Sequence, residues 1–304
     1  MSVSELIRCG HCRKLSLIDT KAKKPKEAKE ERQIRNIIQE YLNRKKQVFI
    51  QKLNEILRSQ GMPAKALPKK TVRDAIDEMN DLARGTKNIM EVSVLNEILN
   101  NVIRNSYFTG LDELSAQVDV NFIPNTPAVR FIQDYMFRQV KDMNDEIASD
   151  LQDVFTRSLM EGADISSVKK RVLEVFDVGG RRAEMIARTE YARAFGSGRQ
   201  QGMEDSVGLG ITGLKYWDAF YRDERTSEIC NTLHEMYSVS MGRGIPVDQP
   251  FRATVTTGVK KKRTVEVSVM QEPAHINCRS RTVFKPIPEE KLAEMVHPDY
   301  TEFL

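Results

Sequence analysis

The sequence predicts a mainly helical, α+β protein, in which a body of long helices precedes a compact α+β module with a β-hairpin. Two observations indicate this. From residue 30 to about residue 205, apolar residues recur at three- and four-residue steps, the period of an amphipathic helix. After residue 210, short segments alternate apolar and polar residues, as half-buried strands do. The 304 residues are 40% apolar and 30% charged, enough to bury a core beneath a solvated surface.

Residues 1–29 are predicted to form a Cys-x2-Cys knuckle followed by a basic linker. Cys9 and Cys12 place two thiols at the spacing of a zinc knuckle. Residues 1–50 carry 13 Lys and Arg against 6 Asp and Glu, and the rest of the chain is slightly acidic. This imbalance favours an anionic partner for the N-terminal part alone, although a solvated linker would have the same composition.

The helical body is predicted over residues 30–150. Apolar periodicity indicates helices from Ile34 to Leu57 and from Val92 to Ile103. A segment rich in Asn and Pro, residues 121–127, predicts a turn, and one long amphipathic helix is expected from Phe131 to Phe155.

The third predicted domain, residues 151–304, begins with two helices. A short helix is expected to open at Asp164 and to end at the Gly179-Gly180 pair, because paired glycines disfavour helix. An alanine-rich helix is then expected from Arg181.

Strands follow these helices. Residues 214–220 alternate in the manner of a strand, and we expect Trp217, the only tryptophan, on its inner face. The segment from Thr254 to Val269 predicts a β-hairpin with a basic tip at Lys260, Lys261, Lys262 and Arg263. The tip is expected to be exposed and to contact DNA or another acidic surface, or else to be only a solvated turn.

Two cysteines and two histidines of this domain are candidate metal ligands. Cys230 and His234 are four residues apart, at helical spacing, and His275 and Cys278 are three residues apart in a loop. We expect the four side chains to converge, and two thiols with two imidazoles are a donor set that tetrahedral zinc accepts. The alternative is that the cysteines are buried small hydrophobes and the histidines form core hydrogen bonds. No cofactor is expected to be required, and zinc is the one candidate.

An enzyme is not expected. Cys230 or Cys278 beside a histidine could serve as a nucleophile, but the sequence lacks the framing that such sites need. It contains no phosphate-binding glycine loop, no His-Glu-x-x-His and no serine nucleophile elbow. No apolar stretch approaches the roughly 20 residues that cross a bilayer, and the N-terminus lacks the apolar core of a secretory signal. We therefore expect a protein made in the cytoplasm, with no membrane partner.

The order of the motifs in the third domain resembles the signature of the phage Mu F-like head morphogenesis family. The resemblance covers roughly residues 150–284. Ser280 stands where family members often have a second cysteine, and Glu235 where they commonly have glycine. The matching residues are Arg188, Thr189, Glu190, Trp217, Asp223, Arg225, Thr226, Cys230, Leu233, His234, Pro273, His275, Asn277, Cys278 and Arg279.

This resemblance implies a structural minor capsid protein of a tailed bacteriophage, located in the virion head and assembled in the host cytoplasm. It further implies association with the portal protein and with other capsid or scaffold proteins during prohead assembly, and a contribution to DNA packaging or ejection. Arg188 and Glu190 would then hydrogen-bond loops such as 223–226 or 277–281 onto their helix. Packaged DNA would be contacted through sequence-independent phosphate binding.

The N-terminus has a resemblance of its own. The segment around Cys9 and Cys12 looks like the first half of the zinc ribbon of Mu Com-type translational regulators, but the second Cys-x2-Cys is absent. This favours an alternative function, a nucleic-acid-binding regulator that uses the Cys9–Cys12 segment and the basic residues 21–46.

Overall fold

The computed structural model describes residues 28–59, 89–161, 165–219, 223, 225–257 and 262–303. Within these ranges the chain starts with long helices, as its periodicity predicts. Cys9, Cys12, Lys260 and Lys261 lie outside these ranges. The helices are α1 (Lys29–Ser59), α2 (Ile89–Val118), α3 (Thr126–Glu161) and α4 (Ile165–Gly208). No helix within the described ranges is both long and apolar enough to cross a membrane.

Short strands and helices follow α4. They are β1 (Gly213–Asp218), α5 (Glu228–Tyr237), β2 (Phe251–Thr257), β3 (Arg263–Val269), β4 (Arg281–Pro286) and α6 (Glu289–Met295). Two antiparallel sheets of two strands each result, one from β1 and β4 and one from β2 and β3. The predicted fold class, mainly α and α+β overall, is confirmed.

The contacts within the chain define two compact units. The helical unit contains Glu31–Val102 and Gln133–Ala187, and the sheet unit contains Ile103–Ile132 and Arg188–Leu304. These limits fall inside α2, α3 and α4.

The helical unit buries the apolar stripes of its helices. The rings of Phe49 on α1 and Phe176 on α4 lie 5.7 Å apart between centroids. The side-chain amide of Asn144 donates a 3.0 Å hydrogen bond to the Tyr41 hydroxyl. Both contacts join residues distant in sequence, which shows that the predicted stripes face a common core.

The expected helix break at Gly179-Gly180 is wrong, because α4 runs unbroken through both glycines. A Cβ atom at Gly179 would lie 3.0 Å from the Cδ1 atom of Ile147. The glycine therefore allows close side-chain packing between α3 and α4. Glycine costs a helix only about 1 kcal/mol, which packing of this kind can offset.

In the sheet unit, α2 and α4 touch through their backbones. A Cβ atom at Gly198 would lie 2.0 Å from the carbonyl oxygen of Tyr107, and one at Gly110 would lie 2.1 Å from that of Phe195. Any side chain at either glycine would overlap the opposite backbone. The two glycines thus hold the part of α4 that carries the site motif directly against α2.

Strand β1 is buried on both faces. Leu214, Lys215, Tyr216 and Trp217 are all buried in succession. The expected one-sided alternation is therefore wrong, since packing covers both faces of the strand. The predicted core position of Trp217 is confirmed: it is 0% exposed, and its ring lies edge-on to Phe251 at 5.4 Å.

The predicted β-hairpin is confirmed. Strands β2 and β3 pair in antiparallel register, with Val255 opposite Val265. Burial alternates along β2, whereas Val267 is the one buried residue of β3. Of the basic tip, Lys262 and Arg263 are described and both are exposed.

Candidate functional site

The candidate site begins with a tight loop between β3 and β4. The backbone N–H of Cys278 donates to the carbonyl oxygen of His275 at 3.3 Å. Asn277, between them, has a φ of 63°, in the left-handed region that asparagine tolerates better than most residues. This turn, here called the knuckle (His275–Cys278), brings the imidazole and the thiol together.

Helix α4 holds the knuckle in place. The guanidinium of Arg188 donates to the side-chain oxygen of Asn277 at 2.7 Å, and the backbone N–H of Asn277 donates to the Thr189 hydroxyl at 2.8 Å. The expectation that Arg188 ties the 277–281 loop to its helix is met. Thr189 is a further anchor, whose part the sequence analysis did not assign.

Helix α5 supplies the third side chain. Ser227 caps this helix, because its hydroxyl accepts from the backbone N–H of Cys230 at 3.2 Å. The Cys230 sulfur lies 3.6 Å from the Cys278 sulfur and 3.1 Å from the Nε2 atom of His275. The ligand atoms of these three residues, here called the Cys2His cluster, all lie within 4.8 Å of one another.

The orientation of His275 is set by hydrogen bonds to both ring nitrogens. Its Nδ1 atom lies 2.8 Å from the carbonyl oxygen of Ile276, which can only accept, so Nδ1 carries the proton. The Nε2 lone pair therefore faces the Ser227 hydroxyl at 2.7 Å and the Cys230 sulfur.

The cluster strongly perturbs its own thiols. The hydrogen bond from Cys278 lowers the pKa of Cys230 to about 6, and Ser280, Ser227 and the charge of Arg279 act in the same direction. The same hydrogen bond, together with burial, raises the pKa of Cys278. The hydrogen bond with Cys278 raises the pKa of His275.

A second loop is bound beside the cluster by charge. Arg279 donates two hydrogen bonds to the Asp223 carboxylate, and Arg225 donates to the same carboxylate at 2.9 Å. The hydrogen bonds from Arg279, the larger effect, hold the pKa of Asp223 well below its usual range. Asp223 and Arg279 thus join the loop before α5 to the segment after the knuckle.

Glu190 does not reach either loop, contrary to expectation. Its carboxylate is 2% exposed and accepts from the Nε atom of Arg193, three residues on in the same helix, at 3.2 Å. Burial raises the pKa of Glu190.

His234 is not part of the cluster either, so the expected convergence of four side chains is wrong for this residue. Its Nδ1 atom accepts from the backbone N–H of Ala219 at 3.1 Å and lies 3.4 Å from the Asp218 carboxylate. Cys230 lies in the first turn of α5, facing the knuckle. His234 lies one turn later in α5, where the helix packs against the end of β1 and not against the knuckle.

Two buried charged residues that the sequence analysis missed, Lys215 and Glu272, lie elsewhere in the sheet unit. Lys215 is 0% exposed, and its ammonium donates to the carbonyl oxygen of Met270 at 2.9 Å and to the Gln200 side chain at 3.3 Å. Burial lowers the pKa of Lys215 to about 7. Glu272, also buried, accepts two hydrogen bonds of 2.8 Å from Thr282, and burial raises its pKa. The burial of Lys215 could not be predicted from the sequence, because a lysine between apolar residues of a strand is normally expected on the solvent-facing side.

The cavity beside the Cys2His cluster is small. Its volume of about 10 Å³ has room for one water-sized sphere. The residues that line it are Ala219, Arg225, Thr226, Ser227, Cys230, His275, Asn277, Arg279 and Ser280. The arrangement can therefore hold a single small ion or water molecule.

The strands and helices after α4 form a compact α+β module. Hydrogen bonds from Arg188 and Thr189 to Asn277 attach this module to α4. Residues 149–283 match the family model described as Phage Mu protein F like protein. The match spans somewhat less than half of the chain, and it confirms the resemblance seen in the motif order. None of the curated proteins and none of the solved structures matches the chain.

The family match does not reach the N-terminal segment. Residues 1–27 also lie outside the described ranges. The resemblance of the Cys9 and Cys12 segment to Com-type zinc ribbons therefore stays a prediction.

Proposed function

We propose that this protein is a structural minor head protein of a tailed bacteriophage, which associates with the portal and acts in head morphogenesis. The family match over residues 149–283 carries this proposal. The hydrogen bonds of Arg188 and Thr189 to Asn277 support it, because they give these motif residues a role in holding the module together.

The proposed role is non-enzymatic. Cys230 and Cys278 are 2% and 1% exposed, and the adjoining cavity of about 10 Å³ is far smaller than the roughly 300 Å³ of an ordinary ligand pocket. The burial of both thiols beside so small a cavity supports this proposal. The site is better suited to maintaining the shape of the module than to catalysis.

The proposed partners are the portal protein and other capsid or scaffold proteins, with packaged DNA as a further contact. The long helices α1 to α4 offer extended exposed faces for such protein contacts. DNA packaging or ejection is the step at which a DNA contact through the exposed Lys262 and Arg263 would matter.

The test is incorporation into particles. The full chain is co-expressed with the portal and capsid proteins of the same phage, and the proheads are sedimented and analysed for the chain. We expect the chain to sediment with proheads and to be lost from particles assembled without portal protein.

A different result would favour the regulator. The chain would then stay out of the particles in both assemblies. It would also shift a defined RNA in a mobility assay, and the double variant Cys9→Ser/Cys12→Ser would abolish that shift. This pair of results would contradict the proposed function.

A further inference from the structure

We infer that the Cys2His cluster binds a divalent cation of the zinc class. Zinc–sulfur bonds of about 2.3 Å and zinc–nitrogen bonds of about 2.0 Å, arranged tetrahedrally, separate two sulfurs by about 3.8 Å and a sulfur from a nitrogen by about 3.5 Å. The sulfurs of Cys230 and Cys278 are 3.6 Å apart, and Cys230 Sγ is 3.1 Å from His275 Nε2. Two of the three donor–donor distances are thus close to those around one shared ion, and all three donor atoms lie within 4.8 Å of one another.

The imidazole already presents the correct nitrogen. Metal-binding histidines commonly donate their other N–H to a carbonyl or carboxylate, which fixes the ring and its tautomer. In His275 the Nδ1–H does this to the carbonyl of Ile276 at 2.8 Å, which leaves the Nε2 lone pair directed at Cys230.

The surroundings support a pair of thiolates around a cation. Cys230 lies at the N-terminal end of α5, where the helix dipole favours negative charge. The knuckle is anchored by Arg188 and Thr189, so the Cys278 sulfur is positioned before any ion arrives. Two thiols and an imidazole favour zinc over magnesium or calcium, which prefer oxygen ligands.

The fourth coordination position falls to a hydroxyl or to water. The Ser227 hydroxyl lies 2.7 Å from His275 Nε2, and Ser280 lines the small cavity beside the cluster. A site with three protein ligands binds more weakly than one with four. A cysteine in place of Ser280 should therefore supply the missing ligand.

The test uses the full chain carrying Cys9→Ser and Cys12→Ser, which leaves Cys230 and Cys278 as its only thiols. The chain is purified under reducing conditions, so that no disulfide competes with the ion. Its zinc content is measured, and cobalt(II) is added as a spectroscopic probe. We expect about one zinc per chain and the intense visible absorption of a tetrahedral cobalt–thiolate centre.

Point variants separate this proposal from adventitious binding. Cys278→Ser should abolish the cobalt spectrum, whereas His234→Gln, on the same helix as Cys230 but outside the cluster, should leave it unchanged. Ser280→Cys should tighten zinc binding by at least about tenfold in a chelator competition. Fluorescence of Trp217 checks that each variant is folded. A folded, reduced chain without zinc or a cobalt spectrum would overturn the inference, as would a spectrum that Cys278→Ser does not change. These measurements do not depend on the proposed function.

Discussion

The backbone N–H of Asn277 donates a 2.8 Å hydrogen bond to the hydroxyl of Thr189, which lies 88 residues earlier in the chain. Asn277 adopts a left-handed backbone conformation, with a φ of 63°. The contact links the middle of the longest described helix to the knuckle that carries His275 and Cys278. A long-range hydrogen bond thus sets the geometry of the Cys2His cluster.

We expect Thr189→Val to destabilise the sheet unit by about 0.5–1.5 kcal/mol, because it removes the hydroxyl that accepts the hydrogen bond from the Asn277 N–H. The measurement is a denaturant titration followed by fluorescence of Trp217, the only tryptophan and a core residue of that unit. Thr109→Val, at an exposed position on α2, is the matched control and should change stability by less than about 0.5 kcal/mol. Equal effects of the two variants would contradict the anchoring role.

We expect Gly198→Ala to destabilise the same unit by about 1–3 kcal/mol or more, since its Cβ would overlap the carbonyl oxygen of Tyr107. Gly208→Ala, in the same helix with open space around it, should be neutral or slightly stabilising. Trp217 fluorescence in denaturant again reports both variants. If Gly198→Ala were as stable as Gly208→Ala, the two helices could not be in backbone contact.

Lys215 should make the stability of the sheet unit depend on pH. Folding lowers its pKa from 10.5 to about 7, so between these values the unfolded chain binds more protons than the folded chain. The free energy of unfolding should therefore rise with pH across this window, by at most about 1.4 kcal/mol per pH unit. Below pH 7, Lys215 is charged in the folded chain, and the full free-energy cost of burying its ammonium remains. The nearby carboxylates of Glu204, Asp248 and Glu272 reduce this cost.

The check is a comparison of variants across that pH window. Lys215→Met should flatten the rise in stability between pH 7 and pH 10, whereas Lys291→Met, at an exposed position on α6, should keep it. Denaturation midpoints at several pH values give the slopes. An unchanged slope in Lys215→Met would mean that other groups cause the dependence.

The basic tip, Lys260 to Arg263, should contribute to DNA binding. Replacing all four residues by serine should weaken binding to duplex DNA. The slope of log affinity against log salt concentration should become shallower by about 0.9 for each phosphate that the tip no longer neutralises. A control chain carries serine at three exposed basic residues of α3, Arg130, Arg138 and Lys141. Similar DNA affinity and salt slope in both chains would show that the tip is a solvated turn.

Much of the fold could be predicted because it depends on neighbours in sequence. Helical periodicity located the long helices, and strict alternation located the β2–β3 hairpin. The helix break predicted at Gly179-Gly180 was wrong, because the local preference of glycine takes no account of the Ile147 side chain that packs against Gly179. The site was predicted in part, because side-chain types and local spacing named Cys230, His275 and Cys278 but could not exclude His234.

The sequence by itself determined the helices, the hairpin, the cysteines and histidines of the module and the motif order that resembles the phage Mu F-like signature. These follow from periods of a few residues and from the chemistry of single side chains. Only the tertiary structure decided which side chains meet. His234 turns to the end of β1, Thr189 reaches Asn277, and Lys215 is enclosed on a strand covered on both faces. Each of these depends on packing between segments far apart in the chain, and local sequence patterns do not specify such packing.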